Sequence, residues 1–86
     1  MPDFTINRCK TKKGFSVKPK SNIKLNLKSI SKKFKTTLDA DVLLVIDNEG
    51  EIIVHGYGEL IFKELDDKDK IKSIAEEIYR AGGVDD

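Results

Sequence analysis

The chain has 86 residues, 38% of them hydrophobic and 36% charged, with a formal net charge of +1. That length supports one core rather than two, and the aliphatic content exceeds what leaves charge-rich chains unfolded. The longest unbroken apolar run, Val42 to Ile46, is far short of the roughly 18 residues of a membrane-spanning helix, so no membrane partner is expected. A lone cysteine, Cys9, excludes an intrachain disulfide and the usual multi-cysteine zinc sites. With no secretory signal read at Met1-Pro2-Asp3-Phe4-Thr5, a reducing, cytoplasmic location is expected. The Lys- and Ile-rich, Trp-free composition resembles that of AT-rich prokaryotic, especially archaeal, genomes.

The near-neutral total hides a dipolar chain. Residues 1–38 hold eleven Lys/Arg against Asp3 alone, net +10, whereas residues 39–86 hold fourteen Asp/Glu against five Lys/Arg, net −9. Such segregation marks either a surface for a polyanion or two halves that neutralise one another on packing.

In chain order, Phe4, Ile6 and Arg8 alternate with polar residues, as do Phe15 and Val17, predicting two short strands. The polar, glycine-ended segment Lys10 to Gly14 between them makes a basic hairpin of residues 1–20. Leu27, Ile30, Phe34 and Leu38 then recur every three or four residues, which predicts a helix with Asn26 as N-cap and a Leu25–Ile30 staple. Val42 to Ile46 is β-branched and short, a central strand. Asp47-Asn48-Glu49-Gly50 turns the chain into Glu51–His55, and Gly56-Tyr57-Gly58 turns it again into Glu59–Lys63. Finally Ile71, Ile74, Ala75, Ile78 and Tyr79 line one helical face behind an Asp66 or Asp67 cap, stopped by Gly82-Gly83. Residues 84–86 form a loose tail.

The expected fold is therefore a two-layer α+β domain over residues 1–86, with an antiparallel sheet, two helices on one face and the order β-β-α-β-β-β-α. In outline, the helix, three strands and helix of residues 26–82 resemble half of the TATA-binding-protein saddle, a likeness of element order that carries no site residue with it.

If Val42, Leu44, Ile46, Ile52, Val54, Leu60 and Phe62 face the helices, then Leu43, Val45, Ile53 and Ile61 point the other way, with His55 and Lys63 at their rim. Burying four aliphatic side chains is worth on the order of 6–12 kcal/mol at about 1.5–3 each, so a cover is expected: the N-terminal hairpin, a second copy of the chain or another protein. Leu43, Val45, Ile53 and Ile61 are accordingly the candidate interaction face of a self-associating or accessory module.

The alternative is non-specific nucleic-acid binding. Lys10, Lys12, Lys13, Lys18, Lys20, Lys32, Lys33 and Lys35, joined by Lys24 and Lys28, could meet phosphates. Against this, only one arginine is present in that half and aromatics do not interleave with the lysines as base-stacking platforms would require. A third candidate is the ligand loop His55, Gly56, Tyr57 and Gly58, where an imidazole, a phenol ring and bare backbone meet; as a hairpin turn it needs no ligand. Glu64, Asp66, Asp67 and Asp69 could gather a hard cation, but helix capping explains them and the EF-hand spacing is missing. No metal or other cofactor is expected. With one His and one Cys, nucleophilic catalysis would need His55 and Cys9 to meet across the fold, so no enzyme is expected.

Overall fold

The computed structural model describes residues 3–8, 14–21 and 23–83. Its elements are β1 (Phe4–Arg8), β2 (Phe15–Pro19), α1 (Leu27–Lys33), β3 (Thr36–Asp39), β4 (Leu43–Asp47), β5 (Glu51–His55), β6 (Leu60–Phe62) and α2 (Lys68–Ala81). The fold is α+β, with the expected order of strands and helices and one further strand, β3, between α1 and β4. All six strands join one antiparallel sheet in the order β1-β2-β6-β5-β4-β3.

Directly paired residues point to the same face of a sheet, so the registers define rows across it. Phe15, Phe62, Ile52 and Ile46 form one inner row, and Val17, Leu60, Val54 and Leu44 form the next. All eight are buried, in one cluster with Ile30 of α1 and Ile71, Ile74, Ala75 and Ile78 of α2. Both helices therefore lie on this face.

The described strands of the N-terminal hairpin extend the sheet by pairing β2 with β6, and neither packs over the opposite face. Gly14 explains the close join. Its φ of +121° is open only to glycine, and a Cβ there would collide with the carbonyl oxygen of Phe62.

The helix expected to run to Leu38 ends at Lys33, and Phe34, at φ −126° and ψ 154°, already has extended backbone. Two β-branched threonines follow, stiff at χ1 and suited to a pleated surface. Thr36 Oγ1 donates to the Phe34 carbonyl at 3.3 Å, and Thr37 Oγ1 to the Val45 carbonyl at 3.3 Å, tying the segment to β4. The three-to-four spacing is thus shared among unlike environments: Ile30 in the core, Phe34 half-buried against it, and Leu38 52% exposed on an edge strand. Val42, expected to face the helices, is instead 71% exposed in the β3–β4 turn, which the Ala40 amide closes by donating to the Leu43 carbonyl.

The caps match their residues. Asn26 accepts from the Ser29 amide at 3.2 Å, and Asp67 accepts from the amides of Asp69 and Lys70. Glu49 takes the left-handed conformation at φ 59°, and Gly50 follows at +125°. Helix α2 is pinned to the β5–β6 turn by Tyr79, whose buried hydroxyl donates to the Gly58 carbonyl at 2.8 Å.

Burial, with the Glu59 charge adding to it, pushes the Tyr79 hydroxyl above its ordinary pKa of 10.0. The folded chain therefore keeps this proton where the unfolded chain releases it. The stability this contributes is complete below pH 10.0 and is lost as pH rises further, by up to about 1.4 kcal/mol per pH unit for one proton. Tyr79→Phe removes that dependence and also leaves the Gly58 carbonyl without its donor, at a cost of about 1–3 kcal/mol. Urea unfolding is expected to show the variant less stable at neutral pH, with the gap to wild type closing toward about pH 11.

Candidate interaction surfaces

The sheet face away from the helices carries the row Asn7, Ser16, Ile61, Ile53, Val45 and Leu38. Leu43 stands beside it, opposite His55. All four predicted face residues, Leu43, Val45, Ile53 and Ile61, are thus brought together, and no described element packs over them. Their exposure is less than the sequence implied. Val45 is only 8% exposed and the other three are half-buried, because strand neighbours shade one another within a pleated sheet.

Charged side chains flank the stripe on both sides. One flank, formed by paired positions, holds Lys18, Glu59 and His55; the other holds Lys63, Glu51 and Asp47. Lys63 meets Glu51 at 3.0 Å and Lys18 meets Glu59 at 3.9 Å. The flanks therefore carry mixed signs.

The predicted ligand loop lies at one corner. His55 Nδ1 is 3.2 Å from the Glu59 carbonyl, and its ring stacks on Tyr57 at 5.1 Å with a 33° tilt. The Tyr57 hydroxyl donates to Glu59 at 2.8 Å, which, with smaller contributions from burial and the Glu59 charge, raises the pKa of the phenol. Tyr57 is 61% exposed yet doubly held. Gly58 is closed off from ligands: at φ +112°, a Cβ would lie 2.8 Å from Ile23 and Pro19 side-chain carbons.

Gly56 and Tyr57 line an open cleft of about 870 Å³ between the entry to α1 and the β3–β4 turn. Ile23, Leu27 and Val42 supply apolar lining, Lys24 and Lys28 come from the α1 side, and Asp39 and Asp41 come from the turn. On its other side Tyr57 borders a smaller hollow of about 270 Å³ with Lys18 and Lys20. Sequence reasoning missed this cleft because it placed Val42 in the core and ran a helix through Leu38. The signal was present in Thr36-Thr37 followed by Asp39-Ala40-Asp41, a strand and turn composition.

Lys32 and Lys33 stand in the last turn of α1, Lys35 leads into β3, and Lys10, Lys12 and Lys13 lie outside the described residues, as do Cys9 and the tail. Among the described residues, ion pairs between the basic and acidic halves are Arg8–Asp66 and Lys18–Glu59, while Lys20, Lys24, Lys28, Lys32, Lys33 and Lys35 have no carboxylate partner. Asp66 and Asp67 are engaged with Arg8 and with the helix cap, and no group of three or more metal-ligating side chains occurs among the described residues. No described helix is long and apolar enough to cross a membrane.

Compared with protein-family models, curated proteins and solved structures, the chain has no match.

Proposed function

We propose that this chain is an interaction module without catalytic activity, and that its partner is a second copy of itself docked on the open sheet face. The observation that carries the reading is the row Ile61, Ile53, Val45 and Leu38, bare of any described covering element.

Self-complementarity supports a second copy over an unlike partner. A twofold axis along the row would set Glu59 opposite Lys63 and His55 opposite Glu51. An axis along the strands, between β5 and β6, would set Lys63 opposite Glu51 and Glu59 opposite His55. Neither arrangement opposes like charges, and both stack Ile53 and Ile61 at the centre.

The area limits what the contact can bury. Six strands about 4.8 Å apart and three to five residues long, at about 3.3 Å per residue, make a face of roughly 29 by at most 17 Å. Pairing two such faces buries at most about 1,000 Å², the size of a weak or transient interface. The aliphatics are already partly shaded, so each gains only a fraction of the about 1.5–3 kcal/mol of full burial. A weak, concentration-dependent association is therefore expected.

Sedimentation equilibrium over a wide concentration range tests this. Wild type should shift reversibly from monomer to dimer, and Ile53→Lys should stay monomeric with an unchanged circular dichroism spectrum, because an unpaired charge buried at the centre costs several kcal/mol. A wild type monomeric at every concentration would end the proposal.

A second reading follows from the lysines between Lys20 and Lys35, which have no carboxylate partner among the described residues. On it, this segment binds nucleic acid through phosphates without sequence preference, and affinity for labelled DNA should fall steeply between low and physiological salt. Absence of binding at low salt would dismiss it.

A further inference from the structure

We propose that Tyr57 is a stacking platform for a nucleobase whose phosphate is held by Lys24 and Lys28, making the cleft beside it a site for a nucleotide or a single-stranded nucleic acid; this rests on the second reading above.

The fold reverses one sequence-level objection. The aromatics that fall among the lysines along the chain, Phe15 and Phe34, are taken up by the core, but in space Tyr57 borders two hollows, one with Lys24 and Lys28 and the other with Lys18 and Lys20. Stacking on an aromatic ring combined with a basic track for the backbone is how single strands are bound without sequence readout.

Three features suit the ring to that use. It is 61% exposed. It is fixed in advance, by the hydroxyl hydrogen bond to Glu59 at 2.8 Å and by the His55 ring at 5.1 Å, so little conformational freedom is lost on binding. Its neighbours divide the cleft by charge: the lysines stand on the α1 side, whereas Asp39 and Asp41 approach from the β3–β4 turn. A phosphate is thereby directed to the lysine wall and repelled from the far one, which leaves the base against Tyr57 and the apolar lining of Leu27 and Val42. The volume of about 870 Å³ lies within the range of about 300–1,000 Å³ typical of small-molecule sites.

The test is an NMR titration with adenosine monophosphate, with a short deoxyadenosine oligomer and with inorganic phosphate. Ring-current shifts at Tyr57, together with shifts at Lys24, Lys28 and Gly56, are expected. Saturation by adenosine monophosphate identifies a mononucleotide site; saturation by the oligomer alone identifies a single strand. Tyr57→Ala should weaken binding of the effective probe roughly five- to a hundredfold, as loss of one base–aromatic stack does, and Lys24→Glu with Lys28→Glu should abolish it. Binding that responds to the lysine changes but not to Tyr57→Ala, or shifts that inorganic phosphate reproduces in full, would overturn this inference while leaving the lysine reading in place. No binding of the adenosine monophosphate or the oligomer at low salt would overturn both.

Discussion

Phe62→Ala is expected to lower the unfolding free energy by about 3–5 kcal/mol. Phe62 is fully buried in β6, between Phe15 on one side and Ile52 on the other. It thus joins the N-terminal hairpin to the central meander, and its truncation removes core contact from both. A chain of this size has roughly 4–13 kcal/mol in total at about 0.05–0.15 per residue, so the change consumes a large part of it. Urea denaturation should show the midpoint falling sharply, and Phe62→Leu, which keeps most of the volume, should recover much of the loss.

Gly14→Ala is expected to be comparably damaging, although it adds one methyl group. The left-handed backbone at φ +121° is barred to alanine, at about 1–3 kcal/mol, and the new Cβ strikes the main-chain oxygen of Phe62, which cannot rotate away. The first casualty should be the β2–β6 ladder. Hydrogen exchange should report lost protection at residues 15–17 before the rest of the sheet. Gly83→Ala supplies the control: φ is +89° but, among the described residues, nothing lies within 4 Å of the added atom, so only the backbone strain remains and the sheet should keep its protection.

These two positions also mark where sequence patterning ran out. Alternation placed Phe15, Val17, Ile52, Val54, Leu60 and Phe62 on inward-facing strands, and the three-to-four spacing of Ile71 to Tyr79 placed α2, because each of those segments has a single period and a clear cap. Where the hairpin would dock was not legible, since pairing β2 with β6 is non-local and is decided by a glycine whose neighbour lies 48 residues away. The three-to-four spacing of Leu27, Ile30, Phe34 and Leu38 pointed to one helix, but Thr36 and Thr37 found hydrogen-bond partners in an extended conformation, and tertiary pairing with β4 won.

The same local error hid the cleft. Once Leu38 and Val42 belong to a hairpin rather than to a helix and a buried strand, Asp39 and Asp41 turn toward the α1 entry and Tyr57 gains a concave neighbour. The apolar stripe, in contrast, was legible from period two alone. Its exposure was not, because which strands stand beside each residue depends on strand order.

Isotope-filtered nuclear Overhauser measurements on a mixture of labelled and unlabelled chains, at a concentration where sedimentation finds dimers, address the contact itself. Cross-peaks between chains are predicted among the methyl groups of Ile53, Ile61 and Val45. Cross-peaks confined to Phe4–Arg8 or Thr36–Asp39 would place the association at a sheet edge and contradict the account.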